Sequence, residues 1–133
     1  MRALGRAALI PLLMACAGCT MPPTSTNLAT FDPIYEGVET RLLDADLVNF
    51  TLSMRQARSP ADLRSYGDCV AAQYALIRGY RFARHVRTNV GQQGDRWTSD
   101  AVYTISAYLP RGTHTLDAGL TVSICQREGI PTI

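Results

Sequence analysis

The chain has 133 residues and a formal net charge of +2, and all 13 of its basic residues are arginines. Two of these, Arg2 and Arg6, lie at the extreme N-terminus, and the rest of the chain balances 11 basic against 11 acidic side chains. A nucleic-acid-binding domain normally carries a clear basic excess. This balance therefore predicts no nucleic-acid partner.

Residues 1–18 have the order of a secretory signal peptide. Arg2 and Arg6 form a positive head, and residues 7–15 form an apolar stretch interrupted only by Pro11. The stretch is too short to span a bilayer, which needs about 20 apolar residues. We therefore predict a leader that directs export and is cleaved from the mature protein.

Two cysteines follow this stretch, in the overlapping sequences LMAC and CAGC. Both resemble the lipobox of bacterial lipoproteins, whose cysteine is diacylated and becomes the new N-terminus. The first has the expected leucine and the second has the Ala-Gly pair, so either Cys16 or Cys19 is the predicted lipidation site. Two acyl chains anchor a protein stably without spanning the membrane. Ala17 or Thr20, where this family uses aspartate for inner-membrane retention, implies the outer membrane, with the domain facing the periplasm.

Residues 19–42 are rich in threonine and proline near their start and lack a sustained period, so we predict a flexible tether. Residues 43–133 are expected to form a single domain. Within it, residues 47–55 alternate between apolar and polar side chains, which predicts a half-buried strand.

A helix is predicted from Pro60 to about Arg78. Ser59 is a suitable N-cap, Pro60 suits the first helical position, and Asp62 completes a pattern similar to a capping box. Gly79 is a good left-handed residue for the end of the helix.

Three further strands are predicted over residues 81–90, 97–109 and 115–125. The sequence GQQGD should form the turn between the first two. We expect an α+β fold in which one amphipathic helix packs on a mostly antiparallel four-stranded sheet, in the order β-α-β-β-β. The apolar faces predicted for the three strands are Phe82, Val86 and Val90; Trp97, Ala101, Tyr103, Ile105 and Leu109; and Leu116, Ala118, Leu120, Val122 and Ile124.

Cys69 and Cys125 are the two cysteines that remain in the mature domain. An exported domain can form a disulfide between them, and closing a loop of this length is worth about 4 kcal/mol. Two separate thiols are the alternative, because Cys125 has the parity of the polar face of its predicted strand.

Arg78, Arg81, Arg84 and Arg87 recur at every third position. On a strand, alternation places Arg81 and Arg87 on one face and Arg84 on the other, which favours solvated structural arginines. A site formed by Arg81, Arg84 and Arg87 for the phosphates of lipopolysaccharide is the alternative.

The two histidines, His85 and His114, are expected at the surface, and no motif indicates a catalytic residue, metal or cofactor. The segments YALIRGYRFARHVRT and WTSDAVYTI, with Ala75, Gly79, Tyr80 and Phe82, resemble small lipoproteins of alphaproteobacteria, and the likeness covers residues 45–130. The likeness implies location and fold, and no activity.

We therefore expect a lipid-anchored, non-enzymatic binding or structural module of the cell envelope. Its expected partner is an envelope protein or a cell-wall component. An anion- or lipopolysaccharide-binding lipoprotein and a cell-wall hydrolase, or an accessory of one, are the alternatives.

Overall fold

The computed structural model describes residues 30–133. The predicted signal peptide, Cys16, Cys19 and residues 19–29 of the predicted tether lie outside the described residues. The described part forms an antiparallel sheet with strand order β1-β2-β4-β3-β5 and two helices. The elements are β1 (Ile34–Leu42), β2 (Leu47–Arg55), α1 (Pro60–Ile77), β3 (Phe82–Gln93), β4 (Arg96–Ser106), β5 (Thr115–Asp117) and α2 (Ala118–Glu128).

The α+β class is confirmed, but the prediction of four strands and one helix is wrong. One error concerns β1, which occupies the second half of the predicted tether and pairs with β2. An edge strand has one neighbour and buries few side chains, and only Tyr35 and Val38 of β1 are partly buried. The apolar alternation that identified β2 is therefore missing from β1.

The other error concerns residues 115–125, which were predicted to be one long strand. The strand ends at Asp117, whose carboxylate accepts a hydrogen bond from the Leu120 N–H at 3.0 Å and caps α2. Ala118, Val122 and Cys125 are buried at helical spacing, whereas Leu120 is 61% exposed. Helical periodicity also resolves the position of Cys125, which did not fit the apolar face of a strand.

Helix α1 begins and ends as predicted. The Ser59 hydroxyl accepts a hydrogen bond from the Ala61 N–H at 3.3 Å, and Arg78 is the C-cap, followed by Gly79 with a φ of 80°. The helix packs on the sheet against a core of large side chains that includes Phe50 and Tyr103. Small residues make this close approach possible.

Among the glycines of α1 and the sheet, Gly67 has the closest neighbour on the facing element. A Cβ atom at position 67 would lie 3.0 Å from the Tyr103 hydroxyl oxygen. That hydroxyl donates a hydrogen bond of 2.7 Å to Asp68 of the same helix. The glycine that weakens the helix locally is therefore required by its packing on β4.

Strand β3 contains a bulge between His85 and Arg87. The extra residue, Val86, is 47% exposed, and Val90 is 36% exposed. The predicted apolar face of Phe82, Val86 and Val90 is therefore wrong, and the buried residue of this strand is Ala83. A similar irregularity interrupts β1 between Tyr35 and Gly37.

The predicted disulfide between Cys69 and Cys125 is confirmed. Cys69 lies on α1 and Cys125 on α2, and both residues are 2% exposed. The bond joins α1, which covers one face of the sheet, to α2, which packs beside α1 and against β5. Separate thiols are excluded.

Candidate binding surface

Three connections of the chain meet at one end of the sheet. The β1–β2 turn is attached to β4 by a hydrogen bond of 2.8 Å from the Ile105 N–H to the Asp46 carbonyl. The α1–β3 turn is attached by a bond of 3.2 Å from the Arg81 N–H to the Ser106 carbonyl, where the β4–β5 loop begins. We call this end the basic end and define it by Arg41, Leu42, Leu43, Leu76, Ile77, Arg78, Arg81, Arg84, Tyr108, Leu109 and Arg111.

The arginines of the described residues divide into two groups. Five of the 11 lie within 4.0 Å of a carboxylate oxygen, namely Arg55, Arg58, Arg64, Arg87 and Arg96. The other six form no such ion pair within residues 30–133. Five of these six, Arg41, Arg78, Arg81, Arg84 and Arg111, belong to the basic end, and the sixth is Arg127 in the last turn of α2.

Aromatic side chains contact two of these arginines without neutralising them. The Arg78 guanidinium lies 5.8 Å from the centre of the Tyr74 ring, and its Nη1 donates to the Tyr74 hydroxyl at 3.3 Å. The Arg81 guanidinium lies 5.6 Å from the centre of the Phe82 ring. Such contacts orient a guanidinium while leaving its charge available.

Three aspartates also lie at this end. Asp44 accepts a hydrogen bond of 2.8 Å from the Ala45 N–H in the β1–β2 turn, which also contains Asp46. Asp117 caps α2. Five arginines against three aspartates leave this end with an excess of positive charge, although the described residues as a whole are balanced.

The predicted trio of Arg81, Arg84 and Arg87 is only partly brought together. The bulge in β3 places Arg84 and Arg87 on the same face, the one opposite the helices, so the predicted separation of these two residues is wrong. However, Arg87 pairs with Asp100 at 3.4 Å. Arg84 lies instead against Gly112 of the β4–β5 loop. A Cβ atom added to Gly112 would be 3.4 Å from Arg84 Nη1.

Each of the three connections also exposes two adjacent apolar side chains near an arginine. Leu42 and Leu43 follow Arg41, and Leu76 and Ile77 precede Arg78. In the β4–β5 loop, Tyr108 is 85% exposed, Leu109 is 71% exposed, and Arg111 follows two residues later. Several large exposed apolar side chains at one end of the sheet favour an interaction surface there.

The sequence did not predict this surface because its residues do not form one local pattern along the chain. The signal was present as three short segments, RLL, LIR and YLPR, each with an arginine beside an apolar pair. They are far apart in sequence. Only the topology of the sheet shows that they lie at the same end.

The histidines belong to a different region. The His85 ring packs edge-on against Tyr103, with 5.2 Å between ring centres, and its Nε2 lies 2.7 Å from the Thr88 hydroxyl. Burial, followed by the nearby Arg64 charge, lowers the pKa of His85. His85 is therefore partly buried, contrary to expectation, whereas His114 is exposed. Within residues 30–133, no group of three or more histidine, cysteine or acidic side chains is arranged to hold a metal ion.

A cleft of about 540 Å³ lies at the opposite end of the domain, between the start of α1 and the end of α2. Its lining includes Tyr35, Glu128 and the pair formed by Arg58 and Asp62. Arg58 Nη2 donates to Asp62 Oδ1 at 2.7 Å, and this hydrogen bond is the main cause of the lowered pKa of Asp62. The guanidinium also lies 3.5 Å from the centre of the Phe31 ring. The one guanidinium that the described residues contribute to this lining is thus already engaged.

Neither helix of the described part combines the length and the apolar character that a membrane crossing requires.

Comparison with known proteins places this fold in a family. The sequence model of the YNQ4 C-terminal domain matches residues 35–129, from β1 to the end of α2. The chain belongs to the YNQ4 C-terminal domain family. The matched region thus includes β1 and α2, the two elements that the sequence pattern did not predict correctly.

One curated relative is a Paracoccus denitrificans protein described as an uncharacterized 26.9 kDa protein in the nqo8 5′ region. It is 28% identical over 85 residues, which cover 64% of this chain and 33% of the relative. The chain therefore corresponds to about a third of the length of that protein. No solved structure matches the chain.

Proposed function

We propose that this protein is a lipid-anchored module of the bacterial cell envelope that binds an anionic partner through its basic end and catalyses no reaction. The observation that carries the proposal is the concentration, at one end of the sheet, of five arginines that form no ion pair within residues 30–133, beside exposed apolar side chains. Guanidinium groups bind phosphate and carboxylate oxygens through paired hydrogen bonds.

Two features support the proposed location in the cell envelope. The leader with Cys16 or Cys19 has the pattern of a lipoprotein signal peptide. The buried disulfide between Cys69 and Cys125 suits an oxidising compartment, because disulfides persist outside the cytosol. The outer membrane, with the domain in the periplasm, remains the proposed location.

The polar groups of the described core support a binding rather than a catalytic role. The Tyr103 hydroxyl donates to Asp68, which also forms an ion pair with Arg64 at 3.3 Å. Burial raises the pKa of Tyr103, so this phenol stays protonated and acts as a structural donor. We assign this network to the packing of α1 on the sheet.

Anion binding is tested on heparin resin, a soluble-polyanion probe, with the full chain purified from membranes in detergent. We expect retention that weakens with salt, because exposed charges are screened. Replacement of Arg78, Arg81 and Arg111 by glutamine should lower the salt concentration needed for elution. Arg111→Gln alone and the control Arg127→Gln form the matched pair, since each removes one arginine without an ion pair in residues 30–133, at the basic end and at the opposite end. Equal elution of the triple variant and the control would contradict the proposal.

The anchor is tested separately by the intact mass of the same preparation. Cleavage before Cys16 or Cys19 with added acyl chains supports the proposed location. An uncleaved or unacylated chain overturns it without bearing on anion binding.

A further inference from the structure

We infer that the partner of the basic end is the surface of a lipid bilayer that contains anionic headgroups. The inference rests on the proposed anion-binding function and specifies its partner. It follows from the composition, shape and position of this end of the domain.

The composition matches the boundary between headgroups and acyl chains. Each connection pairs an arginine, which can bind a lipid phosphate, with two apolar side chains that can enter the acyl region. Tyr108 is the most exposed large apolar side chain of the described residues. Tyrosine is enriched at membrane–water boundaries because its ring is apolar and its hydroxyl is polar.

The shape favours a flat partner. The β1–β2 turn and the α1–β3 turn are separated by two to three strand spacings, which is about 10–15 Å. The apolar pairs of the connections are exposed to solvent at this end, Ile77 by 61% and Leu109 by 71%. A plane can contact all of these groups together, whereas a bound peptide would need them to line one groove.

The position allows docking on the membrane that holds the proposed anchor. The described chain begins at Thr30, and Ile34 pairs with Arg55 at the end of the sheet opposite the basic end. The nine residues of β2 span about 30 Å. From Cys16 or Cys19 to Thr30 there are 11 to 14 residues, which can reach about 35–50 Å when extended. This reach exceeds the length of the sheet, so the domain can turn its basic end toward the lipid.

Charge within the surface indicates which connections dock most strongly. Asp44 and Asp46 lie in the β1–β2 turn and oppose an anionic surface there. The α1–β3 turn and the β4–β5 loop contribute Arg78, Arg81 and Arg111 without an acidic residue in either connection. We therefore expect the α1–β3 turn and the β4–β5 loop to enter the headgroup region of the bilayer more deeply than the β1–β2 turn.

The test measures how deeply residue 108 enters the bilayer. Trp97 is the single tryptophan of the chain and lies at the other end of the sheet, paired with Met54. A Trp97→Phe, Tyr108→Trp variant moves the fluorophore to the basic end. The full chain is reconstituted in phosphatidylcholine vesicles with and without 30 mol% phosphatidylglycerol, and quenching by brominated lipid is measured. The mass before and after reduction verifies the disulfide of every variant.

Quenching at position 108 only in the anionic vesicles, with Trp97 of the unsubstituted chain unquenched, supports the inference. Each arginine near an anionic surface changes the docking equilibrium roughly fivefold, so replacing three by glutamine should abolish the quenching. The Arg127→Gln control should retain it. Equal quenching in both vesicle types overturns the role of charge.

Absence of quenching in both vesicle types overturns docking. With heparin binding intact, that result would favour an acidic protein as the partner. Amide hydrogen exchange of the unsubstituted chain gives a second measurement that needs no variant. We expect the amides of Tyr108, Leu109 and Arg111 to exchange more slowly in the anionic vesicles than in the neutral ones, and equal exchange would contradict docking.

Discussion

Replacement of Gly67 by alanine should destabilise the domain, although alanine is the better helix former. The added Cβ would lie 3.0 Å from the Tyr103 hydroxyl oxygen, closer than such contacts normally allow. Overpacking of this kind costs about 1–3 kcal/mol, and the gain in helix propensity returns about 1 kcal/mol. We expect a net loss of about 1 kcal/mol in the free energy of unfolding, measured by urea denaturation with the disulfide intact.

The Tyr103→Phe background provides the decisive control. On its own, this substitution removes the hydrogen bond to Asp68 and should cost about 1.5–3 kcal/mol, because the acceptor is a carboxylate. It also removes the atom that blocks position 67. The remaining neighbours, Leu52 Cδ1 at 3.5 Å and Ala101 Cβ at 3.8 Å, are at ordinary contact distances.

The effect of Gly67→Ala should therefore change sign in the Tyr103→Phe background, to a gain of about 0.5–1 kcal/mol. Equal destabilisation in both backgrounds would refute the assignment of the clash to the hydroxyl. It would show instead that the backbone of α1 cannot accept a side chain at this position. The four proteins form a double-mutant cycle, which isolates the interaction between the two positions.

Three further predictions concern the covering helices. Replacing both Cys69 and Cys125 by alanine should lower the free energy of unfolding by about 4 kcal/mol, given their separation of 56 residues; an unchanged urea midpoint would contradict this. Asp117→Ala should cost about 1 kcal/mol by removing the N-cap of α2, whereas Asp117→Asn should cost less. The lowered pKa of Asp62 means that its contribution is present above the unfolded value near 3.8 and is lost as pH falls. Thermal unfolding from pH 6 to pH 2 should therefore show a smaller acid-induced loss for Asp62→Asn than for the unsubstituted chain.

The sequence predicted β2 and α1 because each buries one complete face. Strand β2 lies between two neighbours and under α1, and Val48, Phe50, Leu52 and Met54 are all fully buried. Helix α1 carries its own N-cap and terminating glycine. Local signals and burial agreed in both elements, and the boundaries were correct.

The remaining elements depend on contacts that no local pattern contains. Strand β1 is held by one partner, and its exposed residues resemble those of a tether. Residues 118–128 are apolar at positions compatible with either period, and only Asp117 and Gly129 mark the ends of a helix. The disulfide was predictable because the choice was limited to two cysteines, whereas the pairing of Arg87 with Asp100 required the register of β3 on β4.

The candidate surface also depends on contacts between distant parts of the chain, so the sequence alone did not predict it. The arginines after α1 were evident, but the alternation rule separated Arg84 from Arg87 because it could not include the bulge at Val86. Arg41 and Arg111 are far from these residues in sequence. Their association with Arg78 and Arg81 follows from the strand order alone.

The irregularities in β1 and β3 affect how copies of the protein behave when crowded. The proposed anchor would confine the molecules to two dimensions, where neighbouring sheets meet frequently and an open edge can recruit a strand from another copy. Strand β1 is interrupted between Tyr35 and Gly37, and β3 is interrupted at Val86 beyond the short region covered by β5. A bulge breaks the regular row of donors and acceptors that an incoming strand needs. Both outer edges should therefore disfavour strand addition between anchored copies, and the proposed binding surface at the basic end would stay available.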